Sequence, residues 1–375
     1  MAEVTIVGGG ICGISTAYFL RKRGISSTIL EKASCPINAA SGRAGGFLAR
    51  WMDGTPAESL THASFALHHQ LANNLGPDRI GFRTLDGAVA TSGSTSDGRA
   101  HSSAPRYVSN VSRSSTMART NEVAVTHPAR LCQAMLEESK ADVITNASVS
   151  GVERSGVSGA VEHVVLSSGD TVDVNKALVL AMGPWCDSVR KWFPCELGSL
   201  PPIVGQKAHS ITVKADVEPT AVFSSILDKS DGSTYEPEAY PRNGEVYVCG
   251  QHSNTPLPDS PDDIEPESDN MARLKHSAAL LNETFADEGR ITNESACYLP
   301  IATDGMPLLG EVPDTSSSSF IATGGSCWGI LNGPAMGKVL EELIVDGKAQ
   351  SANIDKLTPE GRTGGRKRRK SAVAV

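Results

Sequence analysis

The stretch from Val4 to Glu31 constrains the fold of this chain more than any other part of it. Val4-Thr-Ile-Val7 is a short apolar run, and Gly8-Gly-Gly-Ile-Cys-Gly13 interrupts it. A helical pattern then runs to about Arg23, Gly24 closes it, and Ser27-Thr-Ile-Leu-Glu31 reads as a second strand. Strand, glycine turn, helix and strand within about 30 residues make one βαβ unit, the repeating element of α/β folds.

The glycines carry chemistry as well as geometry. Gly8, Gly10 and Gly13 match GxGxxG, a weak signal alone, but here the motif follows a strand and opens a helix. Glu31 stands about 20 residues on, at the end of the second strand, where a carboxylate accepts ribose hydroxyls. Glycines let backbone approach a pyrophosphate, and a helix N-terminus favours its negative charge. An acidic residue at Glu31 disfavours a 2′-phosphate, so NADPH is not expected. NAD and FAD share this fingerprint, and the choice between them falls to Ala39-Ala-Ser-Gly-Arg-Ala-Gly-Gly46, a second glycine-rich turn just past the second strand. A ligand running beyond the pyrophosphate to a ring system needs such a further close approach of backbone.

At this point the chain resembles the FAD-dependent oxidoreductases of the D-amino-acid oxidase and glycine oxidase superfamily, which carry an equivalent Ser-Gly-x-x-Gly-Gly segment near the flavin. The likeness continues at Val125-Thr-His-Pro128, at Leu178-Val-Leu-Ala-Met-Gly-Pro-Trp185 and at Pro300-Ile-Ala-Thr-Asp-Gly-Met-Pro-Leu-Leu-Gly310. It ends with Ala322-Thr-Gly-Gly-Ser-Cys-Trp-Gly-Ile-Leu-Asn-Gly-Pro334, and the Ser-Cys-Trp-Gly-Ile loop is that of a fungal and plant branch of the family. The resemblance implies an α/β fold: a Rossmann-type, GR2-like FAD domain from 1–84, 121–206 and 296–357, and a smaller antiparallel-sheet substrate domain from 85–120 and 207–295. It implies non-covalent FAD held by Gly8, Gly10, Ile11, Gly13, Glu31, Lys32, Ser41, Gly42, Arg43, Gly45 and Gly46, then by Val149, Ala181, Gly183 and Trp185, and finally by Gly329, Ile330 and Leu331. In the family, backbone N–H groups of the last loop contact flavin O2, and Ile330 and Leu331 are the donors expected here. Gly333 and Pro334 are expected to start the helix that follows, whose positive end suits the charge a reduced flavin gathers.

The substrate side departs from the family. Amino-acid oxidases of this kind hold the substrate carboxylate with arginine, whose bidentate fork suits it. Glycine oxidase has one directly before the proline matching Pro300, where this chain has Leu299, and another in the loop that here reads Gly325-Ser-Cys-Trp328. Trp328 either walls a substrate cavity or packs on the sheet; Tyr240 and Arg242 either touch substrate or belong to a surface hairpin. Arg43 lies near the cofactor or makes a surface ion pair. Cys327 reads as a small buried thiol, since no covalent flavin-attachment motif surrounds it. Hydride transfer to a flavin leaves the chemistry on the cofactor, so the lack of a paired acid–base motif among nine histidines does not count against catalysis. The expected activity is oxidation of a C–N bond in a small amine or amino-acid-like molecule. The alternative is a flavin-bearing interaction or trafficking protein whose catalysis is vestigial.

Composition bounds the partners. A net charge of −8 over 375 residues argues against a general nucleic-acid binder. No apolar run has the roughly 18–20 residues needed to span a bilayer. The eight cysteines show no CxxC or CxxH spacing, so neither a metal site nor a disulfide framework is expected. A strand starting at Val4 leaves no room for a targeting segment, which predicts a cytoplasmic protein acting on a small-molecule substrate. Along the chain, helices are expected at 56–75, from a Thr126 N-cap to about Lys140, and near 271–287; residues 92–120 read as an exposed Ser-rich loop, and 203–250 as antiparallel strands. From about Thr358 a disordered tail is expected, with Arg366-Lys-Arg-Arg-Lys370 as a solvated run or a nuclear-import signal.

Overall fold

The structure, a computed structural model, describes residues 2–96 and 104–362. Its first sheet has six strands in the order Leu308–Glu311, Ser319–Thr323, Ala177–Leu180, Val4–Val7, Ser27–Leu30, Asp142–Ile144. All neighbours pair in parallel except the first two, which form an antiparallel edge. Val4–Val7 and Ala177–Leu180 are buried along their whole length, as strands covered on both faces must be. On one face Ile14, Ala17, Leu131, Met135, Ala335 and Val339 bring three helices onto the sheet: Ile11–Lys22, Pro128–Ser139 and Gly329–Asp346. On the other, Val161, Val164, Val189 and Phe193 cover it from a three-stranded antiparallel sheet and short helical turns. This is the α/β, Rossmann-type half that the glycine motif implied.

The second sheet has eight strands. Ile291–Ala302, Ile203–Lys214, Glu245–Ser253, Glu238–Arg242, Thr220–Leu227, Gly87–Ser94 and Arg113–Arg119 follow in that order, with Thr234–Tyr235 beside Thr220–Leu227. It is not purely antiparallel as expected: Thr220–Leu227 runs parallel to Gly87–Ser94. Parallel neighbours need a long crossover, and here the chain between them passes through the first half, contributing Asp142–Ile144, Ala177–Leu180 and the Pro128–Ser139 helix to it. Strand alternation gives the sheet two faces. Val222, Ala239, Val246 and Val248 pack on the Ser268–Leu281 helix; Ala221, Phe223, Tyr240, Tyr247 and Cys249 face the first half. Ile203–Lys214 and Ile291–Ala302 pair from Ile203 to Ile291, so divisions drawn at 206/207 and 295/296 cut across two continuous strands.

Four local expectations are corrected. Residues 92–120 are not an exposed loop: Tyr107, Val108 and Val111 are buried beneath the Ser268–Leu281 helix, and Arg113–Arg119 is an edge strand. Its polar Arg-Ser-Ser-Thr composition suits an edge with one wet face, and so hid it from the hydrophobic pattern. Residues 97–103 lie outside the described residues. Thr126 does not cap the next helix; its hydroxyl donates to Ile80 O at 3.0 Å, and the helix starts at Pro128 after His127. The last helix starts at Gly329 and not at Pro334, which sits in its second turn. The tail expected from about Thr358 does not begin there: Pro359–Arg362 forms a helical turn and Arg362 pairs with Asp304. The basic run 366–370 lies outside the described residues.

Candidate functional site

The carboxyl end of Val4–Val7 is where the first sheet changes winding direction, with Ser27–Leu30 on one side and Ala177–Leu180 on the other. Open α/β sheets bind ligands at such a switch point. A long cleft opens there. Gly8, Gly10, Ile11, Glu31, Lys32 and Ser41 form one end with Val149; Ala181, Gly183 and Trp185 form the side; Gly329 and Ile330 lie at the far end. Two helices, Ile11–Lys22 and Gly329–Asp346, therefore start at the cleft and direct their positive ends to it.

The Glu31 carboxylate accepts from Gly9 N at 2.7 Å and Ala33 N at 2.8 Å, which fixes its orientation at the cleft wall. Burial pushes this carboxyl upward, opposed by those backbone N–H groups. Ser41 Oγ accepts from Ile11 N at 2.9 Å and so caps the glycine-turn helix from the second turn. Glycine explains the rest of the cradle. At Gly183 and Gly329 no protein atom lies within 4 Å of where a side chain would begin. Gly329 has a helical φ of −58°, so neither packing nor strain demands glycine there, and its lack of a side chain leaves the cleft open.

Other expected cofactor residues are not in the cleft wall. A Cβ at Gly13 would meet Gly8 O at 2.1 Å, the close helix–strand contact of the motif's third glycine. A Cβ at Gly42 would strike Ile37 O, one at Gly45 the Tyr240 and Tyr247 rings, and one at Gly46 Thr126 O. These glycines are demanded by protein packing. Arg43 donates to Ile264 O at 2.9 Å, Ala296 O at 3.1 Å and Asn38 Oδ1 at 3.1 Å, tying two loops to the Ile291–Ala302 strand. Leu331 is buried in the core one residue past Ile330. Residues unforeseen in the sequence line the cleft instead: Asp259 and Pro261, on the 254–267 connection. That loop is held by Asp262, which accepts from Ser34 N at 2.8 Å, and by Trp185, whose indole donates to Pro258 O at 2.8 Å. Its proline and aspartate content signalled a loop but not what it would line.

Pro334 has a consequence at the far end. As a helix-interior proline it lacks the N–H that would bond Ile330 O. His68, fully buried on the Glu58–Leu75 helix, meets that need: its Nε2 lies 3.0 Å from Ile330 O and 3.1 Å from Leu331 O. Both partners accept, so Nε2 carries the proton and the ring is neutral; burial pushes its pKa down to about 4. Ser64 Oγ donates to Leu331 O and accepts from Ala335 N, bridging the same turn.

Beyond the cleft lies an aromatic cluster. Trp328 meets Trp51 edge-on at 5.6 Å, Phe47 stacks on Tyr240 at 5.1 Å, and Phe223 touches Phe47, Trp51 and Tyr240. Trp328 and Tyr240 are thus joined in one cluster, and neither lines the cofactor cleft itself. Arg242 is not free for substrate: it donates to Ala44 O and Gly45 O, pairs with Glu245 and lies over Tyr247. Leu299, Pro300 and Cys327 line the cleft, and Lys32 is the one cation among its described lining residues. Cys327 is not the small buried thiol expected: it sits on the short turn before the last helix with its side chain exposed to the open cleft. All eight cysteines are unpaired.

A Rossmann-type half with a cleft at its switch point, roofed by a second sheet, defines a dinucleotide-binding flavoprotein of the two-domain oxidoreductase class. The profile of the family described as FAD dependent oxidoreductase matches residues 3–343, and this chain belongs to that family. A candidate oxidoreductase of Schizosaccharomyces pombe is 33% identical over 392 residues, spanning 96% of this chain and 98% of its own. In fold it is similar to glycine oxidase from Geobacillus kaustophilus, with a TM-score of 0.76 at 20% identity over 95% of this chain and 98% of that one. L-proline dehydrogenase from P. horikoshii gives 0.74 at 16% identity over 97% and 98%. The chain is an FAD-dependent oxidoreductase, and the open glycine positions and paired helix starts fit that cofactor. Among the described residues no helix is long and apolar enough to cross a membrane.

Proposed function

We propose that this enzyme oxidises the C–N bond of a small amine that carries no free α-carboxylate. The observation that carries the reading is the cation inventory. Leu299 and Cys327 stand in the cleft wall where glycine oxidase places arginines. Arg43 and Arg242, the two arginines that the sequence offered for the site, are committed to backbone carbonyls. Burying a carboxylate without a cation costs several kcal/mol, so such a wall rejects it. The similar folds named above act, by their names, on glycine and L-proline, which supports C–N oxidation as the reaction type.

Bound FAD would supply the acceptor for hydride from the carbon next to nitrogen. Gly8, Gly10 and Ile11 would hold the pyrophosphate, Glu31 the ribose, and the first turn at Gly329 and Ile330 the flavin's O2 edge. Leu299 and Pro300 would exclude water from the reacting carbon, and Trp328, fixed edge-on by Trp51, would bound the substrate side. The test is steady-state turnover, by peroxide release and by dye reduction, of glycine, sarcosine, D-alanine and D-proline beside uncharged-tail amines. Amines should turn over and the four amino acids should not. Efficient turnover of any of the four, lost on changing Arg43 or Arg242, overturns the reading. Flavin bleached by no amine favours the interaction-protein alternative.

A further inference from the structure

We propose that a second cleft beside the aromatic cluster binds the non-reacting end of the substrate, and that Glu238 selects there for a positive charge. The proposal rests on the amine reading above and adds what the far end of that amine must be. Glu238 heads its strand with Phe223 directly opposite on one neighbour and Cys249 on the other. Tyr240 donates its hydroxyl to Glu238 Oε2, and Cys249 Sγ lies 3.8 Å from the same oxygen. Both contacts are to Oε2; among the described residues no donor reaches Oε1, and no ammonium or guanidinium lies within 4.0 Å of the carboxylate. A half-buried carboxylate beside aromatic rings, with no protein cation to pair it, is free to pair with a cationic ligand.

Glu238 also lies between residues of two clefts, beside Tyr240 of the aromatic cluster that holds Trp328. Cys327, in the cofactor cleft, is close enough for its thiol to feel Glu238. On its other side Glu238 lines an open cleft with Phe223, Glu236, Ser92, Ser225 and Arg113. Arg113 pairs with Ser92 at the sheet edge, three strands from Glu238, roughly 14 Å away by strand spacing. The floor near Glu238 is therefore acidic and aromatic, and the cation at its rim is too distant to neutralise it. A carboxylate beside the edge and face of aromatic rings suits an alkylammonium, through ion pairing and attraction to the ring faces. The occupant this geometry fits is a diamine-like molecule: one nitrogen reaches the cofactor cleft while a second, protonated nitrogen stays at Glu238.

The test uses FAD-loaded protein and three probes of equal length and different far ends: 1,4-diaminobutane, butylamine and 4-aminobutanoate. Binding is read from perturbation of the visible flavin spectrum, and oxidation from anaerobic bleaching. The diamine should bind at least about tenfold more tightly than butylamine, and 4-aminobutanoate most weakly, for a charge-assisted contact. Glu238→Gln should remove that preference, and Glu238→Asp should keep part of it. Equal affinities in the wild type, a preference that survives Glu238→Gln, or no perturbation by any probe overturns the proposal. The wild-type order of the three probes decides alone should Glu238→Gln fail to load FAD. A Glu238-dependent preference without bleaching by any amine keeps the cleft and sinks the oxidation reading; bleaching without charge preference does the reverse.

Discussion

Glu31 holds two buried backbone N–H groups in addition to any ribose it contacts, so replacing it has two separable effects. Glu31→Ala orphans Gly9 N and Ala33 N, and unsatisfied donors cost about 1–3 kcal/mol each. The apoprotein should melt lower, and FAD affinity should fall at least about tenfold from the lost charged acceptor. Glu31→Gln should be intermediate in both, and an unchanged FAD dissociation constant by fluorescence titration refutes the assignment. His68 gives a pH signature. Its folded pKa, down to about 4 from 6.5, means that the unfolded chain takes up a proton the native ring refuses. Its contribution is complete above pH 6.5 and is lost as pH falls towards 4, a span of about 3 kcal/mol. His68→Gln retains an N–H donor for Ile330 O and removes the titration. Denaturant melts between pH 7 and pH 4.5 should therefore show a shallower loss of stability in the variant; equal slopes would place the acid sensitivity elsewhere.

The final helix carries both packing glycines and a glycine that faces the open cleft. A Cβ at Gly333 would lie 2.6 Å from Ile11 Cγ1, and one at Gly337 2.4 Å from Ser15 Cβ, so these two let the helix lie against the glycine-turn helix. Gly329, on the same helix, has open space ahead of it. Gly333→Ala should destabilise the fold by about 1–3 kcal/mol through overpacking. Gly329→Leu should leave the melting temperature of the apoprotein within about a degree, because helical backbone accepts leucine, while weakening FAD at least about tenfold by filling the cleft. If Gly329→Leu loads FAD normally, the cofactor does not approach this turn. The Glu58–Leu75 helix acts on the same element from behind, with His68 and Ser64 restoring the bonds that Pro334 deletes. A proline within a helix is thereby tolerated at the one place where the helix start must be shaped for a ligand.

At the scale of the molecule, the cofactor cleft is lined by the first sheet and by the 254–267 connection of the second half, so FAD occupancy should couple to the stability of both. Free FAD at about a hundred times its dissociation constant should stabilise the apoprotein by about 2.7 kcal/mol, visible as a raised melting temperature. Denaturation should release yellow, free FAD, since no covalent flavin-attachment motif surrounds Cys327. Flavin that stays with acid-precipitated chain would overturn non-covalent binding; colourless protein that does not take up FAD would overturn the cleft.

What local sequence determined is the Rossmann-type half: GxGxxG, the strand before it and Glu31 after it act over short distances, through turn geometry and hydrophobic period, and each lies where those rules put it. Leu299 and the Gly325-Ser-Cys-Trp328 loop were equally legible, because they are identities and not contacts. Tertiary structure alone decided which glycines face the open cleft. Gly45 and Gly329 look alike in the chain, yet one has its missing side chain against Tyr240 and the other against open space. It also decided that Arg43 and Arg242 hold loops, that Pro334 requires His68, and that Glu238 meets Phe223. These pairings join residues tens to hundreds of positions apart. Nothing in a local pattern encodes them, because long-range register is settled only when the two sheets and their helices bury one another.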